Sequence, residues 1–180
     1  MEDPEGLYQA LDSYYDAYRA HSSRMWVEKL GLGEFRSGDE VLVTELESML
    51  QMSETDMTIF FRLLSAIEEP NVNGLRFAFY DEEAPVDEWN AWLDKWWIRV
   101  GGSPDRKAMM GANPKYVLRN WMAQLAIDAA EKEDYSVASE LYEMLKRPYD
   151  DQPDCDEKWF NKRPEWAKNR VGCSMLSCSS

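Results

Sequence analysis

Four tryptophans at positions 89, 92, 96 and 97 fall at i, i+3, i+7 and i+8, which is one face of an α-helix. The segment that carries them runs from about Val86 to Val100 and stops at Gly101-Gly102, a pair suited to ending a helix. So much apolar surface on one stripe has to be buried together. It is better explained as a packed aromatic core than as a platform for stacking a ligand.

The same spacing recurs along the chain, with no convincing strand alternation. Asp3 can cap a first helix with Pro4 at its first position, and Leu7, Leu11, Tyr14, Tyr15, Tyr18, Met25 and Trp26 follow at helical intervals up to Gly31. After a loop from Gly33 to Gly38, a second helix from about Asp39 to Met52 presents Val41, Leu42, Leu46, Met49 and Leu50. Ser53 and Asp56 form a capping pair for a third, with Ile59, Phe60, Leu63, Leu64 and Ile67 on its apolar face. Glu68 to Pro85 is expected as a loop, with a short buried strand at LRFAFY as a weaker option, and Ser103-Pro104 starts a short helix.

Asn113-Pro114 is expected to open the strongest helix, with Val117, Leu118, Trp121, Leu125 and Ala129 on one face. Asp134 then caps a last long helix ending near Lys146, with Ala138, Leu141, Tyr142 and Leu145 inward. The expected fold class is all-α, with about six helices. Residues 1–148 form the helical part, and 149–180 an acidic linker and an extended, mobile tail.

Composition narrows the function. Of 180 residues, 44% are hydrophobic and 13% aromatic, too many bulky side chains for a disordered segment. A net charge of −14 opposes binding to nucleic acid or to an anionic membrane surface. No apolar run is long enough to span a bilayer, and the acidic, amphipathic start is no secretory signal, so the chain is not expected to be secreted. Three cysteines, Cys155, Cys173 and Cys178, crowd the last positions in a pattern unlike a disulfide-stapled domain, which fits a reducing compartment.

Several segments together resemble the selenoprotein O family. Positions 113–152, NPKYVLRNWMAQLAIDAAEKEDYSVASELYEMLKRPYDDQ, are similar to its C-terminal region, with Asn113, Pro114, Arg119 and Asn120 in the most specific stretch. An Arg-Pro-x-Trp-Ala element at Arg163–Ala167 and a terminal Cys-Ser-Ser at Cys178–Ser180 follow in the family's order. LDSYYDAYRAHSSRMWVEKLGL, TDMTIFFRLLS and VDEWNAWLDKW are similar to the preceding helices.

The resemblance implies the C-terminal part of a kinase-like (pseudokinase) fold. It further implies an enzyme that binds ATP with magnesium and transfers AMP to Ser, Thr or Tyr hydroxyls of proteins. The family is mitochondrial in eukaryotes and lacks that targeting in bacteria, where the cytoplasm is expected. Its terminal cysteine, here Cys178, is implied to be a redox thiol that can pair with a cysteine near the catalytic half.

The glycine-rich loop, phosphate-binding lysine and acidic metal ligands that such a transferase needs have no counterpart in this sequence. The chain is therefore expected to bind no cofactor itself, and its first partner is the missing kinase-like portion, followed by that enzyme's protein substrates. Cys173 is an additional thiol five residues before Cys178, so a local Cys173–Cys178 disulfide and a longer-range pairing both stay open. Zinc lacks ligands, because His21 is the only histidine and Cys155 stands apart. The acidic run at Asp150, Asp151, Asp154, Asp156 and Glu157 does not match an EF-hand loop. Arg119 and Asn120 are expected to anchor this portion to the catalytic lobe. The alternative to an enzyme's portion is a stand-alone helical interaction module.

Overall fold

The structure, a computed structural model, describes residues 4–81 and 83–173. It is helical throughout: α1 (Pro4–Leu30), α2 (Asp39–Met52), α3 (Met57–Leu64), α4 (Val86–Arg99), α5 (Arg106–Ala112), α6 (Asn120–Ala130), α7 (Ser136–Leu145) and α8 (Pro153–Trp159). Two 3-10 segments, Val72–Ala78 and Glu165–Ala167, complete it. Asp3, expected as the first cap, lies outside the described residues.

Two apolar clusters organise the chain. The first gathers the end of α1, then α2, α3, the first 3-10 segment and α4, with Met109 of α5. The tryptophan stripe is its centre. Trp89, Trp92 and Trp96 are fully buried, and each indole N–H finds an acceptor on α1 or α2: Ser53 Oγ at the end of α2, the Leu42 carbonyl and the Leu30 carbonyl, all at 2.9 Å. A buried indole without an acceptor would be costly, so these three bonds fix how α4 seats on α1 and α2. Trp92 and Trp96 stack nearly parallel, 4° apart.

The second cluster comprises Tyr116, Trp121, Met122, Leu141, Met144, Trp159, Ala167 and Cys173, and Phe160 packs against both clusters.

Several expectations need correction. The LRFAFY run forms most of a 3-10 segment rather than a strand, with only an isolated bridge from Phe79 to Thr55. Asp56 alone caps α3, accepting the Ile59 amide at 3.1 Å, because Ser53 is used by Trp89. Of the α1 stripe only Trp26 is buried, and Tyr142 of α7 is 66% exposed while Met144 takes the inward place. The stretch after Pro148 folds: α8 brings in Trp159, whose indole donates to Glu140 at 2.8 Å and whose ring stacks on Trp121. From there the chain returns across the first cluster, where Lys162 donates to the Phe79 carbonyl and the Arg163 amide to the Tyr80 hydroxyl at 2.8 Å. Elements this short leave no periodicity to read.

The loop between α1 and α2 is tied to α4 by the Asp39–Arg99 ion pair. Asp39 accepts Arg99 Nε at 2.7 Å and Nη2 at 2.9 Å, together with the Arg36 amide at 2.7 Å. Burial alone would raise the Asp39 pKa, but the Arg99 fork and the Arg36 amide outweigh it and hold the carboxyl below its ordinary value. A depressed folded pKa confers stability that is present above the unfolded value, about 3.9, and lost as pH falls through the folded one. Thermal stability is therefore expected to drop below about pH 4. Asp39→Asn should lower the melting temperature at pH 7 and flatten that acid-side loss in a pH series of melts.

Candidate functional site

The family-like stretch Asn113–Asn120 lies between the two clusters and is polar on both sides. Asn113 is 1% exposed. Its amide donates to the Lys29 carbonyl at 2.9 Å and Ser65 Oγ at 3.1 Å, and its oxygen accepts Lys29 Nζ at 3.1 Å. Pro114 disfavours helical backbone in the residue before it, and Asn113 is extended, at φ −110 and ψ 93. The Asn-Pro pair therefore closes α5 instead of opening a helix, and α6 begins six residues later, at Asn120.

The intervening residues are held open by tertiary bonds. The Lys115 and Tyr116 amides both donate to the Pro148 carbonyl, at 2.8 and 3.1 Å. Lys115 Nζ bridges Asp151 at 3.1 Å and Asp156 at 2.7 Å. The Tyr116 hydroxyl donates to the Gln152 carbonyl at 3.0 Å and meets the Asp156 carboxylate. Val117 and Leu118, expected on a buried helix face, are 39% and 53% exposed as a consequence. Tertiary contacts here override the apolar spacing that suggested a helix.

Arg119 completes the seam. Its guanidinium forks onto Asp56, with Nη2 to Oδ1 at 2.9 Å and Nη1 to Oδ2, and Nη1 also donates to the Asn161 carbonyl at 3.1 Å. Asp56 is thus the cap of α3 and the carboxylate partner of Arg119 at once. From α3 itself, Arg62 is 6% exposed and donates to the Met110 and Asn113 carbonyls at 3.4 Å and to Asp151 at 3.0 Å. Asn120 Nδ2 reaches the Cys173 carbonyl at 3.3 Å. Arg119 therefore has its partner within this chain. Asp56 was expected only as a helix cap and Asp151 only as part of an acidic run, and Arg62, Lys115 and Tyr116 were not singled out from sequence, although Arg62 inside the apolar run IFFRLL signalled a buried cation in need of a partner.

The seam shifts its titratable groups. Burial lowers the Lys29 pKa. Hydrogen bonds from Lys115 and then Arg62 hold Asp151 below the usual carboxylate range. Burial, followed by the Asp156 hydrogen bond, pushes the Tyr116 phenol well above its ordinary value. A raised folded pKa confers stability that is complete below the unfolded value, about 10, and lost as pH rises toward the folded one. Unfolding in mild denaturant is expected to become easier above about pH 10, and Tyr116→Phe should lack that alkaline loss.

Cys173 is a free thiol 7% exposed within the second cluster, so it is not the accessible thiol of a mobile tail. Cys155 is half-buried, and burial followed by the Glu140 charge raises its pKa, which disfavours the reactive thiolate. Cys178 and the terminal Cys-Ser-Ser lie outside the described residues.

The donor set does not fit a magnesium–nucleotide. Among the described residues no group of three or more carboxylate, His or Cys side chains could hold a metal ion. The seam cations Arg62, Lys115 and Arg119 are each committed to a carboxylate. No step of phosphoryl or nucleotidyl chemistry is assigned to them. Nor, among the described residues, is any helix long and apolar enough to cross a membrane.

The family model described as "Protein adenylyltransferase SelO" matches residues 1–146. The chain is 47% identical over 194 aligned residues to the protein nucleotidyltransferase YdiU of Flavobacterium johnsoniae, covering 100% of this chain and 37% of that protein. Against the YdiU proteins of Aromatoleum aromaticum and Rhodopirellula baltica, identity is 44% and 41%, with 98% and 100% of this chain and 35% and 38% of theirs covered. The chain thus spans little more than a third of the length of these curated relatives.

Proposed function

The chain belongs to the SelO family of protein adenylyltransferases, and from that we propose that it is the C-terminal structural and regulatory portion of such an enzyme. The observation that carries this reading is its similarity, along its whole length, to proteins named as nucleotidyltransferases that are nearly three times as long. In this reading the kinase-like fold, the ATP–magnesium site and the residues that move AMP to Ser, Thr or Tyr hydroxyls belong to the remaining polypeptide. What this chain supplies is a rigid buttress. Asn113 is bonded to Lys29 and Ser65, and Arg119 ties the start of α6 to Asp56 at the head of α3, so both side chains are engaged within this chain. Cys178 is proposed as the redox thiol, pairing with a cysteine in the catalytic portion. Because the relatives named above are bacterial, the cytoplasm is the proposed compartment.

The test is AMP transfer from ATP and magnesium to an acceptor protein, read by mass spectrometry. The family-length polypeptide that contains residues 1–180 should add AMP to acceptor hydroxyls, and the 180-residue chain alone should add none. Transfer by the short chain, or none by the long one, would overturn the proposal.

A further inference from the structure

Residues 6–21, the first half of α1, are all exposed, while the second half is anchored by Trp26 and Leu30 in the first cluster. The exposed half is not polar. Leu7, Leu11, Tyr14 and Tyr18 are 69%, 48%, 59% and 60% exposed, and the Tyr14 and Tyr18 rings stack on each other. With His21 and Met25 these positions are separated by four, three, four, three and four residues, the alternation by which one helix seats a second along its length. The line runs on from Met25 into a groove of about 680 Å³ between α1, α2 and α3, lined by Trp26, Leu50, Met57 and Phe61.

A helical arm of this length is marginal in water without tertiary support, and Gly6, Asp12, Ser13 and Asp16 weaken it further. Its apolar line needs a cover. A second copy is disfavoured by a net charge of −14 on each chain. The family-length protein, of which this chain spans about 37%, offers a long remaining polypeptide tethered at high effective concentration.

We propose that the Leu7–Met25 face of α1 is the seat of a helix from that remaining polypeptide. Basic side chains on the partner helix would complement Asp12 and Asp16, which flank the line. The inference rests on the chain being a portion of a longer enzyme, but not on that enzyme's chemistry.

Hydrogen exchange tests it without any substitution. Amides of residues 7–20 should exchange almost unprotected in the 180-residue chain and be slowed about 100-fold or more in the family-length polypeptide. The double variant Leu11→Asp, Tyr18→Asp should leave the melting temperature of the short chain unmoved and lower that of the long one by several degrees. Equal exchange in both contexts would overturn the proposal. So would a concentration-dependent dimer of the short chain that protects the arm and is lost in the double variant, because the occupant would then be a second copy. Protection without AMP transfer would keep this inference and reject the enzymatic one. AMP transfer without protection would do the reverse.

Discussion

Replacing Arg119 with alanine is expected to destabilise the chain by about 3 kcal/mol, because it strands the Asp56 carboxylate in a nearly buried site. For a chain of this size that corresponds to a fall of roughly 6–12 °C in melting temperature. The magnitude follows from what Arg119 touches. Asp56 is 8% exposed and serves as cap of α3, and the guanidinium also holds the Asn161 carbonyl, so one truncation loosens α3, the start of α6 and the returning C-terminal stretch together. Arg119→Lys should recover little, since a single ammonium cannot form the two-toothed contact with both carboxylate oxygens. Differential scanning calorimetry of the two variants checks both statements, and a shift in Arg119→Ala within the noise of surface substitutions would contradict them.

Trp89→Ala should cost at least as much, about 3–5 kcal/mol, by the usual toll of deleting a buried aromatic side chain. Trp89 is fully buried, stacks on Phe79 at 5.1 Å between ring centroids, leans on Phe60 at 5.2 Å, and closes the bond to Ser53 Oγ. Its removal leaves a cavity where α3, α4 and the 3-10 segment meet, and leaves Ser53 without its donor. Trp89→Phe should restore most of the loss, with roughly 1–2 kcal/mol remaining for the unpaired hydroxyl. Urea unfolding followed by far-UV circular dichroism would measure the series, with the midpoints ordered wild type, Phe, Ala.

The helices whose apolar residues repeat over three or more turns could be read from sequence. α2 and α4 lie within one residue of where periodicity places them, and the tryptophan stripe is core because four large rings on one face leave few alternatives. The stretch 114–119 was not legible. Its apolar spacing runs on into α6 and suggests one continuous helix, and what keeps it open is Pro148, Gln152, Asp156 and Asp56, partners 32 to 63 positions away that no local pattern encodes. The same reason hides α8: a seven-residue helix shows barely two turns of pattern, and the acidic run before Trp159 reads as linker. α1 failed in the opposite sense. Its periodicity is strong and its helix real, yet the stripe is uncovered, because amphipathicity states that a partner is needed and not which chain supplies it. The Asn113–Asn120 stretch stood out in the sequence, but the partners of its side chains, Asp56 above all, came only from the fold.

In the proposed reading the Asn113–Asn120 stretch stitches two clusters together and takes no part in the chemistry. The most direct measurement is AMP transfer by the family-length polypeptide carrying Arg119→Ala, assayed well below its lowered melting temperature. KM for ATP should be unchanged, and any loss of rate should match the fraction of unfolded protein. A raised KM, or a fallen kcat in fully folded variant, would place Arg119 at the nucleotide and contradict it.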